Sequence, residues 1–143
     1  MVNENLVHKD TLHKGATGSL KILFIINPGS GSHSTDWPKE IEGYFKFSNH
    51  SIELYFLKAG FKIQSIKEKI AVFNPDKVVA VGGDGTVGLV AECLMQNNIP
   101  LAILPAGSAN GLAKELGISE MPAEALKIII AGALKKIHVI MVN

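Results

Sequence analysis

Short apolar runs alternate with segments of helical spacing from Lys21 to the end of the chain. Continuous apolar runs of this length are typical of strands that are covered on both faces of a sheet. They predict strands at 22–26, 52–57, 77–81, 101–104 and 137–142. The segments between them predict helices at 37–45, 63–73, 87–96, 109–116 and 122–131. Strands that alternate with helices in this way predict an α/β fold with a three-layer, mostly parallel sheet.

Composition narrows the class of protein. The chain has 143 residues, of which 47% are hydrophobic and 19% are charged, and this fits one globular domain with its own core. The formal net charge of +1 gives no electrostatic reason to expect a nucleic-acid partner. No apolar run approaches the ~20 residues of a membrane-spanning helix, so we expect a cytoplasmic protein, with contact at a membrane surface left open. Cys93 lies in a helical pattern and is predicted to be a buried core thiol.

The pattern also predicts how the chain is divided. Residues 1–19 are polar and are expected to form a flexible leader. Residues 20–136 carry the strand and helix alternation and are expected to form the α/β domain. The last predicted strand has no turn or partner strand after it, so residues 137–143 are expected to begin a second domain that is cut short.

Three glycine-rich turns follow predicted strands. They are Asn27-Pro28-Gly29-Ser30-Gly31, Gly82-Gly83-Asp84-Gly85-Thr86, and the segment from Pro105 to Gly111, which includes Gly107, Ser108 and Asn110. Because the carboxyl ends of parallel strands meet at one edge of a sheet, we expect the three turns to open there together. Glycines let consecutive backbone N–H groups converge on an anion, which predicts a phosphate site. No lysine lies inside these turns, so backbone amides and a metal ion would neutralise most of the phosphate charge.

The polar side chains in the turns are candidates for chemistry. Asp84 is predicted either to hold Mg²⁺ or to accept a proton from an attacking hydroxyl group, and both roles stay open. Thr86 is expected to cap the following helix while it donates to phosphate, and Ser108 to occupy the N-cap of the next helix. Asn110, in the first turn of that helix, is placed to reach the cleft. His33 lies near the first turn and is expected to be an exposed spectator.

The three turns together resemble the motifs of the diacylglycerol kinase catalytic-domain family, which includes bacterial lipid kinases and sphingosine kinases. The resemblance runs from about Lys21 to the C-terminus, and its third part extends from Leu104 to Ala113. The second motif alone is also similar to one in NAD kinases, whereas the first and third motifs favour the lipid-kinase branch. Two alternatives stay open: a NAD kinase-type small-molecule kinase and a non-catalytic nucleotide-binding module.

The resemblance implies an N-terminal ATP-binding domain followed by a β-rich, lipid-binding domain, most of which this chain lacks. It implies that the three motifs line the phosphates of ATP and that Asp84 handles Mg²⁺ or activates the acceptor. The whole protein would transfer the γ-phosphoryl group of Mg-ATP to a hydroxyl group of a diacylglycerol-like or sphingoid lipid at a membrane surface. The chain alone is then expected to be nearly inactive, and homodimer formation stays open.

The sequence departs from the family pattern at two places within the domain. Family members usually follow the Gly-Gly-Asp-Gly-Thr motif with one residue and then Asn-Glu, whereas Gly88-Leu89 stands here and Glu92 lies one turn further on. Phe56 occupies the position at which many members carry a nucleotide-contacting Thr. The loss of the Asn-Glu pair is the feature that favours the non-catalytic alternative.

Overall fold

The structure is a computed structural model that describes residues 2–5, 18–29, 35–107, 109–132 and 137–140, with the backbone alone for the first and last of these ranges. Several predictions from the sequence lie outside the described residues. They concern Ser30, Gly31, His33, Ser108 and most of the predicted leader.

The described strands are β1 (Val2–Asn5), β2 (Lys21–Ile26), β3 (Ser51–Phe56), β4 (Lys77–Gly82), β5 (Leu101–Pro105) and β6 (Ile137–Ile140). The described helices are α1 (Trp37–Phe45), α2 (Ile63–Phe73), α3 (Asp84–Cys93), α4 (Gly111–Glu115) and α5 (Pro122–Ala131). The bounds predicted for α1, α2 and α5 are confirmed. The prediction for α3 is wrong at both ends, because this helix spans Asp84–Cys93 and not 87–96. The helix predicted at 109–116 is shorter and spans Gly111–Glu115.

The four central strands form one parallel sheet in the order β3-β2-β4-β5. The chain runs from β2 outward to β3 and then returns past β2 to β4, so the direction of winding reverses between β2 and β4. In open parallel sheets this switch point is where ligands bind, beyond the carboxyl ends of the strands. The predicted α/β fold with a parallel sheet is confirmed.

Two hydrophobic cores cover the two faces of the sheet, which makes the predicted three layers. On one face Leu23 and Ile25 of β2 pack with residues of α2 and α3. On the other face Ile22, Phe24 and Ile26 pack with residues of α1 and α5. Burial on both faces explains why the strand is apolar at consecutive positions.

The predicted core thiol is confirmed. Cys93 lies near the end of α3 with 5% of its surface exposed, in the core between the sheet and α2. Burial raises the pKa of this thiol, so it stays protonated and behaves as a small apolar side chain.

β1 and β6 pair antiparallel as a separate two-stranded sheet, with Val2 opposite Ile140 and Asn5 opposite Ile137. The sequence pattern predicted no strand at residues 2–5, because the pairing joins segments from the two ends of the chain. The limits of the leader, the α/β domain and the second domain stay predictions. Within the described ranges, no helix has the length and apolar character needed to cross a membrane.

Candidate functional site

An open cleft of about 530 Å³ lies at the carboxyl edge of the sheet, between the ends of β2 and β4. Residues from all three glycine-rich turns line its floor: Asn27, Gly83, Asp84, Gly85, Thr86 and Gly107. Leu57, Phe61 and Leu89 also line the cleft and are called the apolar wall below. The structure therefore brings the three predicted motifs together at the switch point of the sheet.

The second motif forms the first turn of α3. Its N-cap is Gly83, which has no side chain to hydrogen-bond to the N-terminal turn. The first N–H groups of a helix have no partner inside it, and the helix dipole adds partial positive charge at this end. The floor of the cleft thus offers backbone donors to an anion.

The predicted capping role of Thr86 is wrong. Thr86 lies inside the first turn of α3, because the helix begins two residues earlier, at Asp84. Its side chain is buried, with 5% of the residue exposed, and its hydroxyl group accepts a hydrogen bond from Asn27 Nδ2 at 3.4 Å. This contact joins the second motif to the first.

The Asp84 carboxylate reaches from α3 to the start of α4. Its Oδ2 accepts a hydrogen bond from the Gly111 backbone N–H at 2.9 Å, and its Oδ1 accepts one from Leu112 at 3.1 Å. The hydrogen bond from Leu112, and after it the one from Gly111, lowers the pKa of Asp84 below its ordinary value. The carboxylate is therefore ionised at neutral pH, and it is a weaker base than an ordinary aspartate.

Asn110 closes the third motif onto itself. Its Oδ1 accepts a hydrogen bond from Gly107 N at 2.9 Å, and its Nδ2 donates one to Gly107 O at 2.8 Å. The residue is buried and has a left-handed backbone with φ 52°. Both the oxygen and the nitrogen of the amide are hydrogen-bonded within the turn, so Asn110 stabilises the conformation of the third motif. The N-cap of α4 is Asn110. The prediction that Ser108 occupies this position is therefore wrong.

Asn27 holds the first motif in place. Its Oδ1 accepts a hydrogen bond from Gly29 N at 3.1 Å while its Nδ2 donates to Thr86. Pro28 and Gly29 are exposed beside it. The amide thus fixes the turn after β2 and connects it to α3.

The second and third motifs touch through two glycines. A Cβ atom added at Gly107 would lie 2.8 Å from Gly83 N, and one added at Gly83 would lie 3.1 Å from Gly107 Cα. Only glycine lets the two backbones approach this closely. A Cβ atom at Gly85 or Gly88 would meet nothing within 4 Å.

The structure shows where the departures from the family pattern lie. Leu89 belongs to the apolar wall, and Gly88 is exposed on α3. Glu92 is half-buried and does not line the cleft. Phe56 lines a neighbouring cavity of about 300 Å³, together with Trp37.

A metal ion in this cleft would depend on Asp84. Among the described residues, no three or more His, Cys, Asp or Glu side chains are grouped to hold a metal ion. Asp84 is the one carboxylate among the described residues that line the cleft. Each of its oxygens accepts one N–H and retains a free lone pair. Mg²⁺ is commonly bound through one or two carboxylates together with substrate phosphates, so the donor set fits that ion when a phosphate is present.

The apolar wall was not among the site residues predicted from the sequence. Leu57 directly follows β3, Phe61 lies in the loop after this strand, and Leu89 belongs to α3. Apolar residues at such positions are ordinarily read as core. The available signal was Phe61, a large apolar side chain in a loop at the same sheet edge as the glycine turns.

Residues 21–142 match the family of the diacylglycerol kinase catalytic domain, and the chain belongs to this family. It is 32% identical to sphingosine kinase B of Dictyostelium discoideum, over 94% of this chain and 19% of that protein. It is 42% identical to the lipid kinase YegS of Escherichia coli K12, over 53% of this chain and 27% of that protein. A diacylglycerol kinase structure from Bacillus anthracis str. Sterne superposes with a TM-score of 0.60 at 29% identity, over 77% of this chain and 42% of that one.

These comparisons confirm the predicted family and the predicted fold. The family match includes all three glycine-rich motifs. The chain spans less than half the length of each of the three relatives.

Proposed function

We propose that this chain is the ATP-binding part of a lipid kinase, which transfers the γ-phosphoryl group of Mg-ATP to a lipid hydroxyl group. The observation that carries the proposal is the floor of the cleft, where three glycine-rich turns and the uncapped start of α3 meet. A second, lipid-binding domain would complete the cleft and supply the acceptor at a membrane surface. The lipid is diacylglycerol-like or sphingoid in this proposal.

The phosphates of ATP are proposed to lie on the floor of the cleft. The N–H groups of the first turn of α3 would donate to them, with the glycines providing close backbone approach. The proposed contacts come from the three motifs: Asn27, Pro28, Gly29, Ser30, Gly31, Gly82, Gly83, Asp84, Gly85, Thr86, Gly107, Ser108 and Asn110. In this scheme Asn27 and Asn110 act mainly by shaping the turns, because their amides are engaged with Gly29, Thr86 and Gly107.

Asp84 is proposed to provide a negative charge in the cleft and to bind Mg²⁺. Its lowered pKa disfavours the alternative role of proton acceptor at neutral pH. Mg²⁺, when bound, would neutralise and orient the terminal phosphates. Phosphoryl transfer depends chiefly on positioning and charge stabilisation, so the proposal needs no strong base in this half of the protein.

One observation supports a non-catalytic nucleotide-binding module as a second candidate. Leu89 fills the position at which family members usually carry an acid, and it adds apolar surface to the cleft. A site that binds ATP through Asp84 and backbone donors but lacks that acid could sense the nucleotide without turnover. The family match favours the lipid kinase over the NAD kinase alternative.

Calorimetric titration of the chain with ATP tests the nucleotide site, with and without Mg²⁺ and with NAD for comparison. We expect saturable ATP binding that Mg²⁺ strengthens and that Gly107→Ala weakens. Gly88→Ala is the matched control, because a Cβ atom there meets nothing within 4 Å. A folded sample that binds no ATP would contradict the proposal, and binding of NAD without ATP would favour the NAD kinase alternative.

Turnover distinguishes the kinase from the non-catalytic module. A longer form of the protein that includes the second domain would be assayed for phosphorylation of diacylglycerol and sphingosine, with Asp84→Asn as the variant. We expect phosphorylated lipid from the unmodified protein and strongly reduced product from Asp84→Asn. ATP binding without any lipid product, or equal turnover by the variant, would overturn the kinase mechanism.

A further inference from the structure

The apolar wall of the cleft has no role in the lipid kinase function proposed so far. Phe61 is the most exposed member, with 43% of its surface accessible, although it is a large apolar residue. Leu89 is half-buried and Leu57 is buried. The cleft therefore has two unlike parts, a floor of backbone donors and a wall of apolar side chains.

A ligand that fits both parts carries phosphate at one end and a flat apolar group at the other. A nucleoside triphosphate has this construction. Aromatic side chains hold bases by stacking on either face of the ring, and aliphatic side chains add apolar contact. An exposed phenyl ring in the same cleft as an anion-binding floor is a suitable partner for a base.

The polar side chains that line the cleft are hydrogen-bonded to other parts of the protein. Among the described lining residues they are Asn27, Asp84 and Thr86, and all three lie on the floor. Asn27 is bonded to Gly29 and Thr86, and the Asp84 carboxylate is bonded to the start of α4. Among the described residues that line the cleft, the wall has no hydrogen-bonding side chain to offer to the edge of a base.

We propose that the apolar wall is a nucleobase site that holds the base by stacking and apolar contact alone, so that ATP and GTP bind with similar affinity. The inference rests on the proposed function, since it needs the phosphates on the floor. A site that hydrogen-bonds a substrate group discriminates strongly against analogues that lack it, whereas an apolar surface discriminates weakly. Adenine and guanine differ in the hydrogen-bonding groups on their edges, which this wall does not read.

Titration with three probes in the presence of Mg²⁺ tests the inference: ATP, GTP and inorganic tripolyphosphate. We expect the dissociation constants of ATP and GTP to agree within about threefold. Tripolyphosphate, which has no base, is expected to bind about tenfold more weakly than ATP. Phe61→Ala should weaken ATP and GTP by about five- to tenfold and leave tripolyphosphate unchanged.

Phe47→Ala is the matched control, because Phe47 is 92% exposed and does not line the cleft. It should change the affinity of none of the three probes. Phe61→Tyr keeps the aromatic face and should retain the affinity for ATP. Thermal unfolding of each variant verifies that the fold is intact.

Three results would overturn the nucleobase site while leaving ATP binding in place. They are a preference of about thirtyfold or more between ATP and GTP, an equal loss of ATP and tripolyphosphate affinity in Phe61→Ala, or competition between ATP and a short-chain diacylglycerol that Phe61→Ala abolishes. The last result would assign the wall to an acyl chain. If none of the three probes binds to the folded protein, the proposed function fails together with the inference.

Discussion

The carboxylate of Asp84 caps a helix to which it does not belong, because its Oδ2 accepts a hydrogen bond from the Gly111 backbone N–H at 2.9 Å. The two residues are 27 positions apart in the chain and belong to different glycine-rich motifs. The N-cap residue of α4 makes no side-chain capping bond of its own. Asp84 thus connects the second motif to the third. Its negative charge stabilises the arrangement of the cleft floor and is also available to a ligand.

This tie predicts the effect of Asp84→Asn on the local structure. An amide side chain offers one acceptor oxygen where the carboxylate offers two, so one of the N–H groups of Gly111 and Leu112 loses its partner. We expect backbone hydrogen exchange at these two residues to become several-fold faster while exchange in β4 stays the same. Glu92→Gln removes another acid of α3 that does not line the cleft, and it should leave both rates unchanged. Equal protection of Gly111 and Leu112 in Asp84→Asn and the unmodified protein would refute the capping role.

The same carboxylate predicts a dependence of stability on pH. The pKa of Asp84 is lowered in the folded chain from its ordinary value of 3.8. As the pH falls, the Asp84 carboxylate is therefore protonated in the unfolded chain before it is protonated in the folded chain. The ionised carboxylate stabilises the folded chain above pH 3.8, and this stabilisation is lost as the pH falls through the pKa of Asp84 in the folded chain. We expect the difference in urea midpoint between the unmodified protein and Asp84→Asn to be constant near neutral pH and to shrink in acid. A difference that grows below pH 4 would have the wrong sign for this interpretation.

Gly107 is in close contact with Gly83, whereas Gly88 has open space around it, so substitution of each by Ala should change the stability in opposite directions. Gly107→Ala places a methyl group 2.8 Å from Gly83 N and should lower the free energy of unfolding by about 1–3 kcal/mol. Gly88→Ala adds a methyl group in open space on an exposed helical position and should raise it by about 0.5–1 kcal/mol. Urea unfolding of both variants measures the difference. Equal stability of Gly107→Ala and Gly88→Ala would show that the backbones of Gly83 and Gly107 do not require this close approach.

Local sequence signals predicted the elements but not the contacts between them. Asp36 caps α1, with Lys39 N donating to its Oδ1 at 3.2 Å, and Pro38 lies in the first turn, so the bounds of this helix could be predicted from adjacent residues. The start of α3 was missed because Gly-Asp-Gly-Thr reads as a turn followed by a capping threonine, whereas Thr86 is buried inside the helix. The partner of Asp84 and the makeup of the apolar wall depend on segments that only the folded sheet brings together.

Two asparagines share the same left-handed backbone, so substitutions at these positions separate the effect of conformation from that of hydrogen bonding. Asn74 and Asn110 both have φ 52°, but Asn74 is exposed at the end of α2 while Asn110 is buried and bonded twice to Gly107. Glycine accepts this backbone without strain, so Asn74→Gly should change the free energy of unfolding by no more than about 0.5 kcal/mol. Asn110→Gly loses both hydrogen bonds and should be destabilised by about 1–3 kcal/mol. Asn110→Ala should lose about 1 kcal/mol more, because a Cβ atom disfavours positive φ. Urea unfolding measures all three variants, and equal stability of Asn110→Gly and Asn74→Gly would show that the Asn110 amide does not hold the third motif together.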